Sequence, residues 1–158
     1  MESTGSATNS ETLLIRRARL TSGQTVDLSL AKGVINRIND SNPDADQVID
    51  AAGRLISPGF VELQVNGAGD VDFTANPGQL WRGCSTLGSQ GITSVLPTVI
   101  TSSADVRAEA IATVAQRPAN YVGPNVLGLH FEGPWLAKAR CGAHPIECLA
   151  EPDLGEVR

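Results

Sequence analysis

The sequence predicts an α/β fold in which a small β module precedes a parallel sheet. Three apolar strands of the second part start at residues 61, 92 and 125, and this spacing is the size of one strand–helix–strand unit. The second and third of these strands are apolar almost throughout, as in parallel sheets that are covered on both faces. Two architectures fit the pattern, an open doubly wound sheet and a (β/α)8 barrel, and periodicity alone does not decide between them.

The first part of the chain predicts a small β domain over residues 12–57. Residues 1–11 are small and polar, without the pattern of an export signal, and we expect them to be a disordered lead-in. After them, short and partly alternating apolar segments are separated by turns at Lys32-Gly33 and at residues 51–53. The predicted strands are 13–15, 26–30, 34–38, 48–50 and 54–56.

The second part, residues 58–158, predicts the first three strand–helix units of the larger domain. A strand over 60–65 is followed by a helix over 77–89, which Gly91 ends. A second strand spans 92–100, and Ser102 or Ser103 caps a helix that runs to about residue 116. Asp105 and Glu109 lie near the end of that helix where acidic side chains are favourable. The third strand is predicted over 126–131.

Composition excludes several classes of partner. The net charge of −5 and the pI of about 4.9 argue against nucleic acid and anionic membranes, which both need basic patches. No apolar run approaches the length that spans a membrane. The three cysteines have no metal-binding spacing and are odd in number, which favours reduced thiols and a cytoplasmic location.

The end of the third predicted strand carries the strongest chemical signal. The apolar run stops at His130, Glu132 and Gly133, and a second tight turn at Gly142 to Pro145 brings another histidine, His144. In a barrel of parallel strands, this rim is where chemistry takes place. The alternative is a strand end with a solvated glutamate and a loop histidine.

Glu132 could be a metal ligand, but the sequence alone does not complete a metal site. A catalytic site of this type needs three protein ligands, and the chain has only two histidines, His130 and His144. The His-Phe-Glu segment also has the form found in zinc deaminases, but the cysteine pair that those enzymes need downstream is missing.

The first predicted strand carries two amides and leads into a glycine-rich loop. Gln64 and Asn66 alternate, so they point to the same side and are expected to line a polar pocket. The loop over residues 67–72 resembles the start of a dinucleotide fingerprint but has Asp72 in place of the third glycine. We therefore expect a rim loop there and no nucleotide site.

Four motifs in order resemble the N-terminal part of the N-acetylglucosamine-6-phosphate deacetylase family, which belongs to the amidohydrolase superfamily. They are Pro58-Gly59-Phe60-Val61-Glu62-Leu63-Gln64-Val65-Asn66-Gly67, then Gly91-Ile92-Thr93 with Leu96-Pro97-Thr98, then His130-Phe131-Glu132-Gly133-Pro134, then Gly142-Ala143-His144-Pro145. The resemblance extends from about Leu13 to the last residue. It implies a (β/α)8 barrel beside a small β domain, and a homodimer.

The resemblance also implies roles for single residues. Gln64 and Asn66 stand where most amidohydrolases have a pair of metal-binding histidines. Glu132 would bind one divalent metal ion, with zinc as the first choice and iron, cobalt or manganese as alternatives. Ala143 and His144 would contact the phosphate of the amino sugar. The main local departure is Asp70, which stands where the family usually has glycine.

The implied reaction is hydrolysis of the N-acetyl group of N-acetylglucosamine 6-phosphate, giving glucosamine 6-phosphate and acetate. The family's two histidine ligands and its catalytic aspartate lie beyond the residues of this chain, so no catalytic residue is assigned here. We expect the chain as given to be an inactive fragment of a deacetylase. The alternative is a non-catalytic remnant that binds amino-sugar phosphate or pairs with a full-length subunit.

Overall fold

The structure is a computed structural model that describes residues 12–39, 44–153 and 155. The predicted lead-in over residues 1–11 lies outside the described residues. The chain divides into two compact units, Met1–Pro58 and Gly59–Arg158.

The first unit contains a four-stranded sheet. Its strands are β1 (Thr12–Arg19), β2 (Thr25–Ala31), β3 (Val34–Ile38) and β4 (Gln47–Asp50), in the order β3-β2-β1-β4. The first three form an antiparallel meander, whereas β4 runs parallel to β1. The predicted strand over 54–56 is wrong, since it contributes only a single bridge between Leu55 and Arg19. Because β1 ends at Arg19, the segment finds no further strand to pair with along that edge.

A bulge in β1 shapes the first unit. The register between β1 and β2 shifts between Ile15 and Ala18, and Arg17 there has a positive φ of 53°. The Arg17 backbone N–H donates to Asp27 Oδ1 at 2.8 Å, and its guanidinium pairs with Asp50. The Arg17 guanidinium, helped by the Ala52 N–H, lowers the pKa of Asp50. The buried core of this unit lies around Ala18, Val26 and Leu28.

The second unit is built on a parallel sheet with β8 (Ile92–Ile100) at its centre. The strand β5 (Phe60–Val65) pairs with β8, and a hairpin of β6 (Gly67–Ala68) and β7 (Val71–Asp72) follows β5. Two further short strands pair in parallel with β8, namely β9 (Asn125–Val126) and β10 (His130–Glu132). Parallel strands joined by helical crossovers are the arrangement expected at the start of either a barrel or an open sheet.

The third predicted strand, 126–131, is not continuous. Val126 lies opposite Val95 and His130 lies opposite Thr98, so the five residues 126–130 lie opposite the four residues 95–98 of β8. The extra residue is accommodated around Gly128, which has a φ of +153°. Hydrophobicity could not reveal this break, because the inserted residues are themselves apolar.

Both helices lie where the sequence predicts them. The helical stretch over Pro77–Gln79, α1 (Leu80–Leu87) and Gly88–Gln90 ends at Gly91, whose φ of +81° is a left-handed helix end. Helix α2 (Ala104–Ala115) is capped by Ser103, whose hydroxyl accepts from the Val106 N–H at 3.4 Å. After β10 come two short 3-10 turns, Lys138–Arg140 and Ile146–Cys148.

The core of the second unit lies between α1 and the sheet, around Phe73, Leu80, Cys84 and Val95. Burial raises the pKa of the Cys84 thiol to about 12, so this cysteine stays protonated and is not a candidate nucleophile. All three cysteines are free thiols. In the described part of the chain, no helix is both long and apolar enough to cross a membrane.

Candidate functional site

The candidate site lies where β8 and β10 end. The two strands are parallel and in register up to their last residues, Ile100 opposite Glu132. The residues that follow, Thr101 and Gly133, therefore start their loops side by side. The turn that holds His144 folds back onto this edge, where its imidazole meets Thr101 and Glu132.

Glu132 and His144 face each other at this edge. Glu132 Oε1 is 3.5 Å from His144 Nε2, and the two side chains are 34% and 13% exposed. The structure thus brings together the acid and the histidine that the sequence singles out from two separate motifs. A half-buried carboxylate beside an imidazole can bind a cation, or hold a proton between acid and base.

Thr101 joins both residues and is the member that the sequence analysis missed. Its Oγ1 is 2.8 Å from His144 Nδ1 and 3.2 Å from the backbone carbonyl oxygen of Glu132. The side chain is buried, with 2% exposure. One signal could have found it: Thr101 follows directly after the apolar strand 92–100, just as Gly133 follows the third strand.

Gly133 is required by this close packing. A Cβ atom at position 133 would lie 2.0 Å from Thr101 Oγ1, which is far inside a van der Waals contact. Gly133 also has a φ of +98°, which side-chain-bearing residues rarely adopt. The glycine therefore lets the backbone after Glu132 pass directly over the Thr101 hydroxyl.

His130 serves a different purpose, although it lies only two residues before Glu132. Its Nδ1 is 3.1 Å from the backbone carbonyl oxygen of Leu63 and 3.4 Å from Thr98 Oγ1. Leu63 lies where the β5–β8 register shifts, so its carbonyl falls outside the regular ladder. The imidazole satisfies that carbonyl and braces β5 against β8 and β10.

The other predicted site residues lie on exposed segments. Gln64 and Asn66 are exposed at the end of β5, where the Gln64 N–H donates to Glu62 Oε1 at 3.0 Å. Ala143 is exposed in the turn that the His144 N–H closes on the Cys141 carbonyl at 3.0 Å. Their expected roles, pocket lining and substrate contact, stay predictions.

Asp70, the departure from the family pattern, lies at the tip of the β6–β7 hairpin. Its φ of +64° is left-handed, which explains why glycine suits this position and why aspartate is tolerated there. The Asp70 carboxylate pairs with Arg82 Nη1 at 2.9 Å on the exposed surface. The added charge is therefore matched by a helix α1 side chain.

The site fits a divalent metal in the kind of its donors but not in their number. The Glu132 carboxylate is a suitable ligand for zinc and for harder cations. Among residues 12–39, 44–153 and 155, no group of three or more histidine, cysteine, aspartate or glutamate side chains is arranged to hold a metal ion. Glu132 can therefore supply one ligand, and the described residues do not complete the set.

Comparisons with known proteins place the chain beside deacetylases of amino-sugar phosphates. It is 35% identical over 105 residues to human N-acetylglucosamine-6-phosphate deacetylase, covering 64% of this chain and 26% of that protein. It is 40% identical over 96 residues to N-acetylgalactosamine-6-phosphate deacetylase from Shewanella sp. (strain ANA-3), covering 60% of this chain and 24% of that protein. The chain thus spans about a quarter of the length of these curated relatives. No protein-family model matches it.

Solved structures agree. N-acetylglucosamine-6-phosphate deacetylase from Pasteurella multocida superimposes with a TM-score of 0.76 at 26% identity, over 92% of this chain and 40% of that one. The enzyme from Mycobacterium smegmatis, in complex with N-acetyl-D-glucosamine-6-phosphate, gives a TM-score of 0.69 at 25% identity, over 94% and 39%. These matches confirm the resemblance that the four motifs carry: the chain is similar to the N-terminal portion of the N-acetylglucosamine-6-phosphate deacetylases.

Proposed function

We propose that the protein carrying this chain hydrolyses the N-acetyl group of an N-acetylhexosamine 6-phosphate, releasing acetate and the amino-sugar phosphate. The observation that carries the proposal is the Glu132–Thr101–His144 cluster at the joint ends of β8 and β10. It places an acid and an imidazole at the strand ends where barrel enzymes do their chemistry. The substrate class is taken from the deacetylases that the chain resembles.

In this proposal the sheet of the second unit is the start of a (β/α)8 barrel. The strands β5, β8 and the interrupted pair β9 and β10 are its first three strands, and α1 and α2 are the first two crossovers. The parallel pairing and the order of strands support this assignment. A homodimer is proposed from the family resemblance, and the cytoplasm from the free state of the cysteines.

Glu132 is proposed as a ligand of one divalent metal ion, with zinc as the first choice and iron, cobalt or manganese as alternatives. When bound, such an ion would supply Lewis-acid chemistry, polarising the amide carbonyl and making water more acidic. Glu132 contributes a negative charge from a strand end, and its partial exposure leaves the carboxylate accessible. Its backbone is held by the parallel pairing of β10 with β8 and by the Thr101 contact to its carbonyl oxygen.

His144 and Ala143 are proposed to contact the substrate phosphate. Thr101 contacts the imidazole at Nδ1, so Nε2 is the nitrogen left to donate to an anionic oxygen. Ala143 precedes His144 in an exposed turn, and the residue before it, Gly142, has a φ of +58°. Gln64 and Asn66 are proposed to line the same side of the pocket.

The sugar can be the N-acetylglucosamine or the N-acetylgalactosamine form. The identity to the galactosamine enzyme is the higher one, 40% against 35% for the human glucosamine enzyme. The two sugars differ only in the configuration of one ring hydroxyl. An acetate-release assay with both phosphorylated sugars and both unphosphorylated ones tests the proposal. We expect metal-dependent turnover of at least one phosphorylated sugar. Absence of acetate release from all four, in a folded and metal-loaded protein, would contradict the proposed function.

A further inference from the structure

Asn66 and Gly67 form the one Asn-Gly dipeptide of the sequence. An asparagine in this position can react with its own backbone, because glycine has no side chain to obstruct the approach of its nitrogen to the asparagine carboxamide. In a folded protein, the reaction also requires that neither group is held elsewhere by a hydrogen bond. The surroundings of the two residues therefore decide whether the dipeptide is reactive.

The Asn66 carboxamide is unengaged on the bend between β5 and β6. Asn66 is exposed and belongs to neither strand. Its backbone carbonyl accepts from the Phe73 N–H at 3.0 Å, but its side chain makes no hydrogen bond within the part of the chain that the structure describes. The backbone is thus anchored while the carboxamide stays free to approach the next residue.

The register of the following hairpin leaves the Gly67 nitrogen without a partner on β7. Gly67 lies opposite Asp72. Hydrogen-bonded and non-hydrogen-bonded pairs alternate along an antiparallel ladder. The bond from Phe73 to Asn66 makes their pair a hydrogen-bonded one, so the next pair, Gly67 and Asp72, is non-hydrogen-bonded. The Gly67 N–H therefore points away from β7.

We propose that Asn66 is a site of spontaneous deamidation in this protein. The Gly67 nitrogen gives its proton to solvent and attacks Asn66 Cγ. A new N–C bond closes a succinimide ring, and the bond from Cγ to the side-chain nitrogen breaks, which releases ammonia. Water then opens the ring at either carbonyl and leaves aspartate or isoaspartate. One water is consumed and one ammonia is released, so the reaction needs no enzyme and no cofactor.

The hairpin itself prevents the replacement of the glycine. A Cβ atom at position 67 would lie 2.4 Å from the Val71 carbonyl oxygen, which is backbone and has no rotamer to escape into. Either product adds a negative charge at position 66, and isoaspartate also lengthens the backbone before the hairpin. The consequence for catalysis rests on the proposed function, which places Asn66 in the pocket; the chemical reaction does not.

Peptide mapping by mass spectrometry of the protein carrying this chain tests the proposal. Trypsin releases residues 55–82 as one peptide. During incubation at physiological temperature and mildly alkaline pH, we expect this peptide to gain one mass unit and to become a substrate for isoaspartate-specific methylation. Asn76 in the same peptide precedes Pro77, which has no N–H and cannot react in this way. Asn66→Gln, whose longer side chain does not close the same ring, should abolish the gain.

Asn120 is the matched control within the same molecule, because it is also exposed but precedes the bulky Tyr121. It should stay unmodified over the time in which Asn66 converts. The urea-unfolded protein gives the rate of the dipeptide without the fold. A folded protein that keeps Asn66 intact after the unfolded one has converted completely, or that converts Asn120 as fast as Asn66, would overturn the proposal.

The mass measurement needs no turnover, so it separates this inference from the proposed function. A protein without deacetylase activity that gains the mass at Asn66 would refute the proposed function and support the inference. An active deacetylase that keeps Asn66 intact would do the reverse.

Discussion

Two threonine–histidine pairs lie at or just beyond the paired strands β8 and β10, and they have different roles. Thr98 and His130 are opposite each other in the β8–β10 register, and the imidazole continues to the Leu63 carbonyl of β5 at 3.1 Å. Thr101 and His144 meet just past the strand ends, and there the imidazole continues to the Glu132 carboxylate at 3.5 Å. Both threonines are buried, so burial does not distinguish the pairs.

The third partner distinguishes them. A backbone carbonyl is neutral and fixed by the sheet, so the first pair is a brace that satisfies a carbonyl at a register shift. A carboxylate is charged and about one-third exposed, so the second pair holds an imidazole beside a group that can bind a cation. A threonine–histidine pair can thus have a structural or a chemical role, and the third group that the imidazole contacts decides which.

The largest expected effect comes from neutralising that third partner. Glu132→Gln gives the second pair a neutral acceptor, like the first, and removes the charge that a divalent cation prefers. In the metal-loaded enzyme, we expect metal affinity to fall by at least about a hundredfold, because loss of outer partners alone costs roughly 10–100-fold. Elemental analysis after dialysis measures the loss. Glu147→Gln, in the exposed turn Ile146–Cys148, is the matched control and should retain the metal. Full metal content in Glu132→Gln would remove Glu132 from the proposed ligand set.

The close packing between Gly133 and Thr101 gives the next largest effect. Gly133→Ala places a Cβ 2.0 Å from Thr101 Oγ1 at a φ of +98°, so overpacking and backbone strain add together. We expect the free energy of unfolding to fall by about 2–5 kcal/mol. Gly142→Ala is the matched control, since its φ is +58° and nothing lies within 4 Å of the added Cβ. It should cost only the strain, about 1–2 kcal/mol. Equal losses in urea unfolding would show that the Thr101 contact does not constrain position 133.

Removing each imidazole separates the two roles. His144→Ala should raise KM for the phosphorylated sugar by roughly 10–100-fold, as expected for one hydrogen bond to a charged group, with a much smaller change for the unphosphorylated sugar. His130→Ala should instead lower the free energy of unfolding by about 1–3 kcal/mol, because the Leu63 carbonyl loses its partner. Steady-state kinetics and urea unfolding are measured on both variants, so that the effect on KM and the effect on the free energy of unfolding can be compared for each histidine. Equal KM changes on both sugars in His144→Ala would contradict its proposed contact with the phosphate.

Much of the fold could be predicted from the sequence, because local signals agree there. The strands 60–65 and 92–100 are bounded by glycine, proline and serine, and helix α2 has a serine cap that the structure confirms. The break between β9 and β10 could not be predicted, because it depends on how many residues lie opposite β8. Local patterns do not contain that count.

The candidate site divides in the same way. Glu132 and His144 lie in motifs with glycine-marked turns, so their sequence context is conspicuous. Thr101 is an ordinary threonine after an apolar strand. Its importance comes from its contacts with Glu132 and His144, which are 31 and 43 positions further along the chain. His130 and Glu132 alternate along the strand, and only the register shift near Leu63 shows that the histidine belongs to the sheet.

The smallest expected effect comes from the residue next to Thr101. Ser102 is buried, and within the described residues its hydroxyl has no hydrogen-bond partner. Replacing an unpaired buried hydroxyl by an apolar group removes a desolvation cost, so Ser102→Ala should leave the free energy of unfolding unchanged or raise it by up to about 1 kcal/mol. Thr101→Val removes a hydroxyl with two partners and should lower the same quantity by about 1–2 kcal/mol. Urea unfolding of the two variants side by side measures the difference between two neighbouring buried hydroxyls. A loss in Ser102→Ala as large as that in Thr101→Val would contradict the expectation that the hydrogen bonds of the Thr101 hydroxyl stabilise the fold.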